Sequence, residues 1–160
     1  MAEPRWLTER EQRTWRRFVA TTGMLCCALE RQLQRDSGMP HAYYQILAAL
    51  SEAPGRTLRM SELANRTRSS RSRLSHAVTR MERSGWVERR VCPSDKRGAY
   101  AVLTPHGFAV LEAAAPGHVE VVRRMLFDVL TPAQVDQLDE ICRLMAERMM
   151  TERLSVEDEK

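Results

Sequence analysis

The chain has 160 residues, 43% hydrophobic and 29% charged, with a formal net charge of +4; this suffices for one core but leaves little room for a second independent domain. No run approaches the roughly 20 uninterrupted apolar residues of a membrane span, and Met1-Ala2-Glu3-Pro4-Arg5 lacks the basic start and apolar run of a signal peptide, so a cytoplasmic protein is expected. The four cysteines, Cys26, Cys27, Cys92 and Cys142, contain no CxxC pair, which excludes a disulfide framework or a zinc spacing.

The first predicted element is a long amphipathic helix over about Thr8 to Arg35. It is free of proline, and Trp15, Phe18, Val19, Thr22, Leu25, Cys26, Leu29 and Leu33 recur at three- and four-residue spacing. Asp36-Ser37-Gly38-Met39-Pro40 breaks it. A second helix, about His41 to Glu52, turns Tyr43, Tyr44, Leu47 and Leu50 inward before Ala53-Pro54-Gly55 ends it. Thr57-Leu58-Arg59 is long enough only for a strand stub.

Ser61-Glu62-Leu63-Ala64 then makes a short helix that ends near Asn65-Arg66-Thr67. After a polar turn another begins close to Ser69-Ser70 and runs to Ser84, where Gly85 stops it. Leu74, Ala77, Val78 and Met81 are spaced i, i+3, i+4, i+7 and form one buried stripe. The opposite side carries Ser72, His76, Thr79 and Arg83, with Ser69, Arg73, Ser75 and Arg80 beside them. All can hydrogen-bond and none is acidic. A helix built for solvent interleaves Glu with Arg at i,i+4, whereas here only Glu82 interrupts the basic set. The surroundings agree: residues 56–97 hold twelve Lys or Arg and four acids, a net of +8, while the rest of the chain holds thirteen basic and seventeen acidic residues, a net of −4. A basic centre with acidic arms fits a polyanion partner.

Trp86-Val87-Glu88-Arg89-Arg90-Val91-Cys92 nearly alternates apolar and polar residues, Pro93-Ser94-Asp95-Lys96-Arg97-Gly98 is turn-forming, and Ala99-Tyr100-Ala101-Val102-Leu103 returns as a second strand. Two strands around a basic tip make a hairpin. A helix-turn-helix followed by such a wing places one helix in the major groove and the wing along the neighbouring backbone and minor groove.

Over roughly residues 43–111 the chain resembles the MarR family of bacterial transcriptional regulators. The resemblance is carried by Leu58-Arg59-Met60-Ser61-Glu62-Leu63-Ala64, by Leu74 to Arg80 leading to Ser84-Gly85-Trp86-Val87-Glu88-Arg89, and above all by Asp95-Lys96-Arg97-Gly98 followed by Leu103-Thr104-Pro105-His106-Gly107. It implies an obligate homodimer on a pseudo-palindromic operator, often released by a small phenolic or aromatic effector. Major-groove recognition would then fall on Ser69, Ser70, Arg71, Ser72, Arg73, Ser75, His76, Thr79 and Arg80. Arg97 would enter the minor groove beside Lys96, with Asp95 orienting a wing arginine.

The last third predicts a helix from about Pro105 to Val129 that Pro116 kinks or divides. Thr131-Pro132-Ala133-Gln134 marks a fresh helix start. Val135, Leu138, Cys142, Met145 and Met149 then form the seam of a helix packed on others. Packing on the first helix of the same chain would satisfy that seam. Two long arms on a small basic core favour packing between chains, with Trp15 and Phe18 joining the interface.

Cys26 and Cys142 lie on apolar faces and read as buried fillers; Cys92 at the wing base, near Arg89 and Arg90, would be the residue of a redox-responsive regulator. His41, His76, His106 and His118 form no ligand spacing, so neither metal nor cofactor is expected. Tyr43, Tyr44, Trp15 and Phe18 line either a cavity between the arms and the DNA-binding lobe or ordinary core. No GxGxxG, GxxxxGK[ST], HExxH or GxSxG motif points to an enzyme. An architectural or protein-interaction winged helix is the remaining alternative, and a basic, serine-rich face argues against it. The expectation is thus a mainly α fold with a small β-hairpin: one domain over 1–160, a winged helix-turn-helix lobe at 42–104, and helical dimerisation regions at 6–38 and 105–152. Its function is that of a DNA-binding regulator, a ligand-responsive repressor, acting on the nucleoid.

Overall fold

A computed structural model describes residues 3–92 and 95–158; the side chains of 92–97 and 153–158 lie outside the described residues. The helices are α1 (Glu9–Ser37), α2 (His41–Ser51), α3 (Met60–Arg66), α4 (Arg71–Arg83), α5 (Pro105–Met125) and α6 (Pro132–Asp158). The strands are β1 (Thr57–Arg59), β2 (Val87–Cys92) and β3 (Asp95–Leu103). The chain divides into two compact units, Met1–Val121 and Val122–Lys160.

Helix α1 starts at a capping box: the Glu11 amide donates to Thr8 Oγ1 at 3.3 Å and the Thr8 amide to Glu11 Oε2 at 2.7 Å. It stops at Gly38, whose φ of 60° few other residues adopt at no cost. Helices α2, α3 and α4 enclose the core of the first unit. Leu33, Met39, Leu47, Leu50, Leu63, Val78 and Met81 are fully buried there, beside Leu74, Leu58 and Ala101. The stripe read from the sequence on α4 is the buried one: Leu74, Val78 and Met81 are inside and Ala77 packs against them.

The wing has three strands, in the order β1-β3-β2 and all antiparallel. The stub Thr57–Arg59 pairs with Val102, Ala101 and Tyr100, and Val87 to Val91 pairs with Leu103 to Ala99 before an irregularity at Val91/Cys92. A stub of this length becomes a strand only because β3 supplies its partner, which local sequence does not announce. The α4–β2 joint is a tight turn at Gly85 (φ +71°), where the Trp86 amide donates to the Met81 carbonyl at 2.9 Å.

Leu103-Thr104-Pro105-His106-Gly107 has a mechanical explanation. Thr104 Oγ1 donates toward the Gly85 carbonyl at 2.6 Å and caps α5 by accepting the Gly107 amide at 2.9 Å. A Cβ on Gly107 would run into the Trp86 carbonyl, so only glycine lets α5 start this close to the wing. Helix α5 then runs through Pro116, so of the kink or division expected there the division does not occur. Glu112 and Pro116 are both exposed, so water can take the carbonyl bond that proline forgoes. The helix ends at Met125, and Phe127–Val129 forms a separate 3-10 turn.

In the second unit α6 begins as expected, with the Thr131 amide donating to Gln134 Oε1 at 2.9 Å and the Gln134 amide to Thr131 Oγ1 at 3.3 Å. Val135, Leu138 and Met145 are half-buried, while Cys142, Met149, Ile141 and Leu144 are exposed. Cys26 is exposed as well, so neither it nor Cys142 is the buried filler expected from helical phase. At these two positions the apolar faces are left open to solvent. Among the described residues no helix is long and apolar enough to cross a membrane.

Candidate nucleic-acid interface

Helix α4 presents its polar side outward. Ser70 is its N-cap, its Oγ accepting the Arg73 amide at 3.3 Å. Arg71, Ser72, Arg73, Ser75, His76, Arg80 and Arg83 are all exposed. Ser69 is half-buried in the α3–α4 turn, its hydroxyl donating to the Thr67 carbonyl at 3.4 Å. That turn is closed by the Ser69 amide on the Ala64 carbonyl at 3.0 Å and holds Arg68 at φ +52°, a conformation that costs a non-glycine residue about 1 kcal/mol.

Two of the predicted readers face inward as well as outward. Thr79 is half-buried; its hydroxyl donates to the Ser75 carbonyl at 2.9 Å and accepts Arg89 Nη2 at 3.0 Å. Ser75 contributes its carbonyl, at 2.6 Å, and its Oγ, at 3.4 Å, to the same guanidinium. Glu82, the one acid on the helix, is turned to β2: Oε1 accepts the Arg89 amide at 3.0 Å and Oε2 lies 3.5 Å from Arg89 Nε. The outward face is therefore free of an unpaired carboxylate. The side chains of Asp95, Lys96, Arg97 and Cys92 lie outside the described residues; the backbone at Asp95 opens β3.

Basic residues also gather beside α4. A cavity of about 420 Å³ is lined by Arg59, Arg71 and Arg89 together with Met60, Ser61, Leu74, Ser75, Gly98 and Ala99. Arg59 Nε donates to the Tyr100 hydroxyl at 3.3 Å, and the Arg56 guanidinium lies 3.6 Å above the Phe108 ring. A second cavity of about 710 Å³ is lined by His41, Tyr44, Gln45, Arg66, Arg68 and His118 among others. There the His118 ring sits 5.6 Å from His41 and 4.1 Å from Tyr44, and its Nδ1 is buried without a partner. Burial holds both histidines below the usual imidazole range; Glu30 opposes this at His41 and the His41 charge reinforces it at His118. Burial raises the Tyr44 phenol.

Sequence spacing gave no hint of the His41–His118 pair, which α2 and α5 bring together. Nor did it separate Arg89, half-buried and bonded to Ser75, Thr79 and Glu82, from the arginines of α4 that face solvent. Of the four aromatics proposed to line a cavity, Tyr44 does so, Tyr43 packs against the core, and Trp15 and Phe18 are 57% and 44% exposed. No group of three or more His, Cys, Asp or Glu suited to a metal occurs among the described residues.

A family model described as MarR family matches residues 37–98. The chain is similar to Sco3205, a MarR family transcriptional regulator from Streptomyces coelicolor solved in complex with DNA. Identity is 56%, coverage is 91% of each chain, and the TM-score is 0.87. It is also similar to AbsC, a MarR family transcriptional regulator from the same organism, with 44% identity, coverage of 92% of this chain and 99% of that one, and a TM-score of 0.86. The transcriptional repressor MprA of Escherichia coli is 25% identical over 118 residues, 74% of this chain and 66% of that protein. Being 56% identical to Sco3205 over 91% of each chain, the protein belongs to the MarR family and is a transcriptional regulator, not an enzyme.

Proposed function

We propose that the protein is a repressor that binds a pseudo-palindromic operator as a homodimer and is released by a small aromatic or phenolic effector. The observation that carries this reading is the outward face of α4, where Ser72, Arg73, His76 and Arg80 stand exposed and the helix's one acid is held against β2. Such a face suits the donor and acceptor pattern of the major groove and its phosphate rim. Support also comes from Sco3205, which was solved with DNA. Ser69 and Ser70 would approach the backbone at the helix start and Arg71 a phosphate. In the wing, Arg97 would enter the minor groove, Lys96 would touch phosphate and Asp95 would orient an arginine. The lobe at 42–104 reads DNA, and the regions 6–38 and 105–152 pair the copies. The site of action is the cytoplasmic nucleoid.

Pairing is supported by surface that the chain leaves uncovered. Every residue from Glu3 to Met24 is exposed, including Trp6, Trp15, Phe18 and Val19, and α6 exposes Ile141, Leu144 and Met149. A single copy rarely leaves so much apolar surface in water, and a second copy can bury it. An effector has room in the 710 Å³ cavity at His41, Tyr44 and His118, which lies within the usual size of a ligand pocket.

The test is selection of duplexes from a random-sequence pool by the full chain, followed by sedimentation of the complex. An inverted repeat with half-sites about one helical turn apart, bound by two copies, is expected. Sequence-independent binding, or tight binding of the full site by one copy, overturns the reading.

A further inference from the structure

We propose that Arg89 and Glu82 form a clamp that sets the angle between the recognition helix and the wing, so that Arg89 is a positioning residue rather than a DNA contact. This rests on the reading of α4 as the DNA-reading helix. Between α4 and β2 the chain has only Ser84, Gly85 and Trp86, with Gly85 at φ +71°; the Trp86 amide and the Thr104 hydroxyl hold this joint at the end of α4, and none of these turn bonds reaches the middle of the helix. Arg89 closes the gap. It stands in β2 opposite the buried Ala101 of β3. From there its Nη2 donates to the Ser75 carbonyl at 2.6 Å and to Thr79 Oγ1 at 3.0 Å. Its Nε lies 3.5 Å from Glu82 Oε2, while Glu82 Oε1 takes the Arg89 amide at 3.0 Å.

The anchored residues, 75, 79 and 82, span almost two turns of α4, about 10 Å along its axis. Contacts spread over that length restrain both tilt and rotation, which a single contact cannot do. A planar guanidinium suits this task because its donors leave in fixed directions. The same bonds commit the Thr79 hydroxyl proton and turn the Arg89 charge inward. Direct reading by the middle of α4 then falls to Ser72, Arg73, His76 and Arg80.

The clamp and simple electrostatics predict opposite signs. Glu82→Gln removes an acid from a basic face, and on charge alone the variant should bind every duplex more tightly. If Glu82 acts by holding Arg89, the variant binds the operator less tightly, by roughly fivefold for a half-exposed charged contact, while its affinity for random duplex does not fall. The experiment uses the full chain, the duplex it selects from a random pool, and a scrambled duplex of equal length, at several salt concentrations. Expected results are a fall in discrimination for Glu82→Gln, Arg89→Lys and Arg89→Met alike, an unchanged salt slope, and little further loss when Glu82→Gln is added to Arg89→Met. Arg89→Lys is the sharpest case, since it keeps the charge but loses the fork. Parent-like discrimination by Arg89→Lys, or an equal loss on both duplexes with a salt slope lower by about one unit in Arg89→Met, would make Arg89 a phosphate contact and overturn the clamp. Glutamine at 82 keeps the carbonyl that accepts the Arg89 amide, and a melting curve matching the parent establishes that this variant is folded. If the parent chain selects no sequence at all, the DNA-reading assignment fails and the clamp with it; a selective parent with a fully selective Glu82→Gln variant refutes the clamp alone.

Discussion

The outward face of α4 and the first half of α1 are both exposed, yet they are built in opposite ways. On α4 the exposed residues are serines, arginines and a histidine, and the large apolar ones, Leu74, Val78 and Met81, are buried. On α1 the exposed set includes Trp15, Phe18, Val19 and Met24, at 57, 44, 47 and 72% exposure. Water solvates the first face well. The second leaves large apolar groups wet, at about 25 cal/mol per Å² relative to burial. The difference separates two jobs: the apolar side of α4 is covered within one chain, through Leu74, Val78 and Met81, whereas the first half of α1 leaves its apolar groups exposed, the surface proposed above to meet a second copy.

The largest expected effect comes from breaking that second face. Phe18→Glu places a charge where an apolar partner is proposed and should weaken pairing of two copies by about 2–4 kcal/mol, with operator affinity falling in step. Analytical ultracentrifugation reads this directly. An unchanged dimer would show that Phe18 is ordinary exposed surface and would move the interface to α6 alone. Melting of the first unit should hardly shift, because Phe18 is absent from its buried core.

A smaller effect tests the first face. Arg73→Ala or His76→Ala should lower discrimination between operator and scrambled duplex by about 1–3 kcal/mol where the side chain meets a base edge. Competition binding at fixed salt measures it. Equal loss on both duplexes would turn these residues into phosphate contacts and leave the face without readout.

Much of this contrast was legible beforehand, and the reasons differ by residue. The 3.6-residue stripe of α4 and the turn at Gly85 are local signals, and Thr131-Pro132-Ala133-Gln134 spells out its own cap, so these elements match the sequence reading. What was not legible needed a third dimension. Thr57–Arg59 was read as a strand stub, but its partner, β3, lies more than forty positions away. Of the kink or division expected at Pro116 the division does not occur, and the proline falls on an exposed side. Periodicity marked Cys26 and Cys142 as apolar-facing but could not say whether the chain itself covers that face. Counting charges placed Arg89 in a basic patch but could not show that its guanidinium is bonded there to Ser75, Thr79 and Glu82.

A third measurement compares histidines instead of helices. His76 is exposed on α4, while burial lowers the proton affinity of His41 and of His118. A histidine whose folded pKa lies below its unfolded value takes up protons on unfolding, so its contribution is present above the unfolded pKa of about 6.5 and is lost as pH falls below it. Melting temperature should therefore drop between pH 7 and pH 5. The drop should be smaller in His118→Gln than in the parent chain. Equal pH dependence in the variant and the parent would mean that the half-buried pair does not govern acid stability. Glu30, whose carboxylate accepts the His41 amide at 2.8 Å, limits the effect at His41, so His118 is the better probe.

The smallest effect distinguishes the two helices by their caps. Thr8 and Ser70 perform the same chemistry, each accepting an amide three residues on at 3.3 Å, and replacing such a cap by alanine costs about 1 kcal/mol when the helix start is coupled to the folded core. Ser70 meets that condition, because Leu74 on the next turn is buried. Thr8 does not, since all residues from Glu3 to Met24 are exposed and the start of α1 can fray without opening anything else. Ser70→Ala should thus lower the stability of the first unit by about 1 kcal/mol in urea, and Thr8→Ala should leave it unchanged under conditions that keep the chain monomeric. Raising the protein concentration until two copies associate should make the Thr8→Ala cost appear, because pairing then couples the α1 start to the rest of the assembly. Equal costs for both caps at every concentration would show that the α1 start is already tied to the core of its own chain, and the contrast between the two faces would lose its basis.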